Sequence, residues 1–293
     1  VSNTTDMNSM FNGASSFNQD ISTWNVSNVT DMFQMLRGTQ SFNQDISTWD
    51  VSSVTNMSSM FNDAQSFNQD ISTWDVSNVS SMTFMFWGAI NFNQDLSNWI
   101  VTGVTNMEGV FQQATAFNGD ISNWDVSNVT KADKMFYFAT NFNGDISNWD
   151  VSNLTNASYM FSNASSFNQD ISTWDVSNVS GMSMMFFQAI SFNQDISTWN
   201  VSNVNSFYEI FDNAPLSENK KCAIHISFSS NANWPYDWSE FCLHANSLSI
   251  SMDEDIPILS HFSIENNYQS SELYFHIEQW PSNGWVDVSH ELT

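Results

Sequence analysis

One string recurs through this chain at a fixed spacing, with no insertion or deletion between copies. Phe-Asn-Gln-Asp-Ile-Ser-Thr-Trp begins at Phe17, Phe42, Phe67, Phe167 and Phe192, and close variants begin at Phe92, Phe117 and Phe142, a period of 25 residues throughout. A fixed period in the range of about 20–50 residues marks a solenoid, in which each coil buries its apolar face only against its neighbours. A chain of this kind must stack.

The interior of such a stack has to come from within each period. Apolar residues make up 41% of the chain, and 25 Phe with 13 Trp make the expected core strongly aromatic. In the coil that starts at Phe42, the run to Trp49 is free of Gly and Pro and reads as a strand, and Val51 to Val54 reads as a turn. Met57, Met60, Phe61 and Ala64 then fall at i, i+3, i+4 and i+7, the apolar stripe of a short helix, with Thr55 placed to cap its first turn. The stripe returns as Met82, Met85, Phe86 and Ala89, and the capping hydroxyl as Thr30, Ser80, Thr105, Thr130, Thr155 and Ser180. The expectation is an α/β solenoid with one parallel strand and one short helix per coil. Eight or nine coils at roughly 4.8 Å would make a rod of about 40 Å.

The string Asp70 to Val79 (Asp-Ile-Ser-Thr-Trp-Asp-Val-Ser-Asn-Val), followed by Met82, Met85 and Phe86, resembles the BspA-type leucine-rich repeats. These are also described as mycoplasma-type lipoprotein repeats of bacterial and protist surface proteins. The resemblance runs from about Val1 to Pro215. It implies a right-handed leucine-rich-repeat-like coil in an extracellular or cell-surface protein, often an adhesin, without enzyme activity. Local departures are Ile100 for Asp, Thr102-Gly103 for Ser-Asn, and Ala132 and Ala157 for Met. Val1-Ser2-Asn3 repeats Val26-Ser27-Asn28, so the chain is expected to start in mid-repeat, as a piece of a longer protein.

Three segments follow: a repeat solenoid at 1–215, a cap at 216–246 and a partial β domain at 247–293. Ser217 to Phe228 reads as a helix that covers the last coil. Cys222 and Cys242 lie outside the repeats and can form a disulfide; Cys222-x-x-His225 with Cys242-x-His244 is a weaker zinc pattern. From Ser247 the apolar period becomes two (Leu248, Ile250, Met252), which reads as hairpins of a β-sandwich. Met252-Asp253-Glu254-Asp255-Ile256-Pro257 with Gly284-Trp285-Val286 resembles the opening of the cadherin-like, Ig-like tandem domains of bacterial surface proteins. Asp253, Glu254 and Asp255 are weak candidates for calcium at a domain junction.

Charge narrows the partners. With 5 Lys+Arg against 31 Asp+Glu the formal charge is −26, which repels nucleic acid and anionic lipid. No apolar run approaches the roughly 18 residues that cross a bilayer. Asp20, Asp45, Asp70, Asp95, Asp120, Asp145, Asp170 and Asp195 hold one position in eight coils, and Asp50, Asp75, Asp125, Asp150 and Asp175 form a second row. Neighbouring charges about 4.8 Å apart in water repel by roughly 0.9 kcal/mol, so the row needs compensation. Local backbone N–H and Ser hydroxyls, calcium between rungs, or a basic partner can each supply it. Thermal melts with chelator and with millimolar calcium separate the second source from the others.

The Trp row (Trp24, Trp49, Trp74 and onward) reads as core rather than as a sugar-stacking platform. The sequons at Asn28 and Asn128 follow from the repeat, and the Ser22-Thr23 pairs are a weak ice-binding pattern. All five His (His225, His244, His261, His276, His290) lie outside the repeats, and near-identical coils offer no unique cleft for catalysis. The expected function is a non-catalytic adhesion or binding module at the cell surface, presenting a repetitive anionic face to a protein, a glycan or further copies of itself. The alternative is a structural stalk, fibre or filament segment, which calcium could stabilise.

Overall fold

A computed structural model of the chain describes residues 1–244. The chain divides into two compact units, Val1–Asn246 and Ser247–Thr293. The expected β domain, with Asp253, Glu254 and Asp255, lies outside the described residues.

The repeats stack as a solenoid, and the stack is held from inside by columns of rings. Phe42, Phe67, Phe92, Phe117, Phe142, Phe167 and Phe192 lie nearly parallel with centroids 6.0–6.1 Å apart. A second column, Phe61, Phe86, Phe111, Phe136, Phe161, Phe186 and Phe211, steps at 5.5–5.7 Å. Within a coil the two columns touch: Phe61 and Phe67 are 4.1 Å apart. All of these rings except Phe211 are fully buried, and Phe211 is nearly so. Each transfer from water stabilises by about 1.5–3 kcal/mol.

The expected helix does not form. Met60, Asn62 and Ala64 donate N–H to carbonyls three residues back, those of Met57, Ser59 and Phe61. The N–H groups between them leave the coil: Met57, Ser59, Phe61 and Asp63 donate to Ser81, Thr83, Met85 and Trp87 of the next coil at 2.6–2.9 Å. Ser59 and Asp63 sit at φ 56° and 55°, in the left-handed region that no right-handed helix admits. The first of these positions recurs in every coil as Ser9, Gln34, Ser59, Phe84, Gly109, Lys134, Tyr159, Met184 and Glu209, all at positive φ. The apolar spacing that suggested a helix is therefore met by a ladder of tight turns. Thr55 is no helix cap; its N–H and hydroxyl both donate to the Thr30 carbonyl one coil back.

The expected strand is also absent from Phe42–Trp49 and its equivalents, because that segment spends its N–H groups elsewhere. Asn43 N–H donates to the side-chain oxygen of Asn18, Ser47 N–H to Asp45, and Trp49 N–H to the Ile46 carbonyl. Among the described residues, parallel pairing survives only as single-residue bridges, such as Asp6 to Asp31, Asp31 to Asn56 and Asn106 to Lys131. Ala132, which stands where other coils carry Met, lines a small apolar cavity of about 10 Å³ with Leu154 and Trp149.

The last coil is followed by α1 (Glu218–Phe228) and α2 (Ser239–His244), and it is covered by α1 and the segment that joins the two helices. Phe228, Trp234 and Trp238 pack against Phe207 and Phe211. The cap also takes a hydrogen bond that a further coil would have made, Ser217 N–H to Asn193 Oδ1, and adds new ones, the Asn231 amide donating to the Val201 and Val204 carbonyls. Tyr236 donates to Asp212 at 2.6 Å and accepts from Phe211 N–H. Burial and the Asp212 bond push its phenol well above the usual range.

One junction is thinner than the rest. The step from Ser80 to Thr105 lacks the Thr105 N–H to Ser80 bond, the Met82 N–H to Asn106 bond and the bridge found at the equivalent steps among the described residues, while the bonds from Phe84, Phe86 and Gly88 to Glu108, Val110 and Gln112 remain. It coincides with two departures from the repeat. Ile100 cannot form the turn that Asp75 makes with Ser77 N–H, and Gly103 has no amide to donate to Ser77 as Asn78 donates to Ser52. Ile100→Asp with Gly103→Asn is expected to raise stability by roughly 1–2 kcal/mol, one net hydrogen bond being worth about 1. Guanidinium unfolding of the double variant checks this.

Candidate functional site

The aspartate row was expected to project from a strand; the structure places it on turns. The Oδ1 atoms of Asp20, Asp45, Asp70, Asp95, Asp120, Asp145, Asp170 and Asp195 each accept from the N–H of the Ser two residues on, at 2.8–3.0 Å. Asp and Asn favour this geometry because the side chain mimics a backbone turn. All eight aspartates are exposed. The second row repeats the device: Asp50, Asp75, Asp125, Asp150 and Asp175 accept from the following Ser N–H at 3.0–3.1 Å.

These bonds stabilise the charged form. The Ser hydroxyl and then the Ser N–H hold Asp20, Asp70, Asp75, Asp125 and Asp175 below the ordinary carboxylate value. For Asp45, Asp120, Asp145 and Asp170 the N–H leads and the hydroxyl follows. Repulsion from the neighbouring rung acts the other way and is smaller at Asp45, Asp70 and Asp120. Local turns therefore offset the ladder repulsion. Among the described residues, no group of three or more His, Cys, Asp or Glu is arranged to hold a metal ion.

The Trp row is interior. Trp49, Trp74, Trp99, Trp124, Trp149, Trp174 and Trp199 are at most 5% exposed. Each indole donates to the Ile or Leu carbonyl 28 residues back, at 2.9–3.2 Å. Trp24, in the first coil, is half-buried. The sequon amides are engaged as well: Asn28 donates to Ser2 and Asn128 to Thr102. In the cap Cys222 and Cys242 are disulfide-bonded, and His225 accepts from the Trp234 indole, so the zinc pattern is not assembled.

Sequence reasoning missed two features. The first is an asparagine ladder: the N–H of Asn43, Asn68, Asn93, Asn118, Asn143, Asn168 and Asn193 each donates to the side-chain oxygen of the Asn one coil earlier, at 2.8–3.0 Å. Its signal was the unbroken Asn after every repeat Phe. The second is a segment where the coils differ. From Ser81 to Gly88 and its equivalents, side chains vary from rung to rung while the turns beneath stay the same.

A family model described as "Mycoplasma protein of unknown function, DUF285" matches residues 1–99, 69–168 and 145–227. No curated protein matches the chain. The solved structure described as "Crystal structure of TLR13-ssRNA13 complex" is 10% identical over 65% of this chain and 37% of that one, with a TM-score of 0.18. A likeness that low carries no argument.

The aspartate turns make a pH prediction. A carboxylate whose folded value is depressed stabilises the fold above its unfolded value and loses that contribution as the pH falls through the folded one. Unfolding midpoints are therefore expected to fall as pH drops below the ordinary aspartate value of 3.8. Asp45→Asn, Asp70→Asn and Asp120→Asn together keep the turn acceptor and remove the titration. Denaturant melts from pH 7 to pH 3 should show a shallower acid loss in that variant.

Proposed function

We propose, for a chain that belongs to the family described as Mycoplasma protein of unknown function, DUF285, a non-catalytic adhesion or binding module displayed outside the cell. The observation that carries this reading is the aspartate row, in which a stiff stack holds eight exposed carboxylates, each oriented by its own turn. The hydrogen bonds fall on Oδ1, which leaves the second oxygen for a partner. Such a row steers cationic surfaces toward the rod and repels anionic ones. A repeated weak contact gains strength by multivalency without any deep pocket.

The cap disulfide supports an oxidising compartment, where such bonds persist. The Asp70 to Val79 string supports the finer placement among BspA-type leucine-rich repeats of surface proteins. The ring columns also favour a second reading, a stalk or fibre segment, because parallel stacks on every rung resist bending.

Beads coated with the full chain, applied to cultured animal and bacterial cells, test both readings. Asp→Asn at all eight ladder positions keeps the turns and is expected to lower adhesion at least several-fold and to flatten its salt dependence. Undiminished adhesion would overturn the anionic-row reading. Unchanged adhesion with altered self-assembly would favour the stalk.

A further inference from the structure

We infer that the partner is selected on a second flank of the solenoid, the variable turn ladder centred on Phe84, Trp87, Lys134, Tyr137, Phe138 and Tyr159, and that it is a polypeptide. The inference deepens the binding-module reading and rests on it: the aspartates bring a partner close, and this flank chooses which one.

Backbone strain is the first ground. Phe84, Lys134, Tyr159 and Phe138 sit at φ 57–61°, where an L side chain is disfavoured and Gly is the stable choice. The same site is Gly109 in the next coil after Phe84, at φ 60°, so the fold accepts Gly there. Bulky side chains held at strained positions that the fold does not require point to a use outside folding.

Composition of the flank is the second ground. Phe84 and Trp87 pair at 5.6 Å, Tyr137 meets Phe138 edge-on at 4.6 Å, and Tyr137 reaches Tyr159 of the next coil at 6.0 Å. All six of the named side chains are partly or largely exposed. Gly109 leaves room for Phe84, since a Cβ there would lie 2.3 Å from the ring.

Charge and periodicity choose the occupant. Every Lys and Arg of the repeats (Arg37, Lys131 and Lys134) falls in this variable segment, among Asp31, Asp63, Glu108 and Asp133. Mixed charge with half-exposed aromatics suits a protein surface, in which aromatic and Arg anchors carry most of the energy. A polysaccharide or mineral has a repeating structure and would be read by identical rungs. Here the rungs differ, so the complement must differ along its length as well.

The test uses residues that the chain itself carries at these positions. Phe84→Ser and Tyr159→Ser copy Ser59, and Trp87→Ser and Tyr137→Ser copy Ser162, so the quadruple variant preserves coil geometry. A second variant, Phe84→Gly with Tyr159→Gly, relaxes the backbone at a position where Gly109 already stands in another coil. The full chain is panned against a display library of random dodecapeptides, and selected peptides are titrated by fluorescence polarisation. Selected peptides are expected to weaken at least tenfold against both variants and less than twofold against the ladder Asp→Asn variant.

Selection of no peptide, equal binding to the variants, or capture of a neutral glycan from a printed panel by the parent and not the variants would each overturn the proposal. The bead assay keeps the two readings apart. Parent beads that adhere to cells while the quadruple variant adheres equally sink this inference alone; parent beads that never adhere sink the module reading, whatever the peptides do.

Discussion

Contact between one coil and the next is the interaction from which the rest of this structure follows. A lone coil has no ladder partner for its alternate N–H groups and no neighbour for its Phe rings. Main-chain bonds from Met57, Ser59, Phe61 and Asp63, the Asn43 to Asn18 bond and the Trp49 indole bond all run between coils. Stability is therefore a sum of nearest-neighbour terms, and the ends need special treatment. The cap meets that need at one end by occupying the acceptors of the last coil, with Ser217 standing where the next Asn would stand.

A division of labour follows from the same contact. Because Phe, Asn, Asp, Ile, Trp and Val repeat with little change, the stack assembles without reference to what occupies the turn ladder. Ser59, Phe84, Gly109 and Lys134 share one backbone conformation while differing in size, charge and polarity. The framework carries folding, and the ladder is free to carry recognition.

Much of the interior was legible before any coordinates. The period gave the stack, and the Phe, Trp and Met positions gave core residues, while the buried Val row was read only as part of a turn. Asp at a fixed place with Ser two residues on pointed to local compensation of its charge, though on a strand rather than on the turn that the structure shows. The coil's secondary structure was not legible, for a physical reason. Apolar residues at i, i+3, i+4 and i+7 describe which side chains share a side, and successive three-residue turns with left-handed joints satisfy that spacing as well as a helix does. The strand failed because Asn18, Asp45 and their equivalents compete for the backbone with their own side-chain oxygens, a preference that propensity alone understates. The variable flank was visible as rung-to-rung differences at Phe84, Lys134 and Tyr159, but attention to what repeats conceals what does not.

The sparse junction between Ser80 and Thr105 has a mechanical consequence. Coils in a stack are links in series, so tension along the axis is borne equally by every interface and relieved first at the one with the fewest bonds. Pulled from its two ends, this body yields there before anywhere else, and separates into a shorter block that keeps the rung from Ser80 to Trp87 and a longer one that keeps the cap.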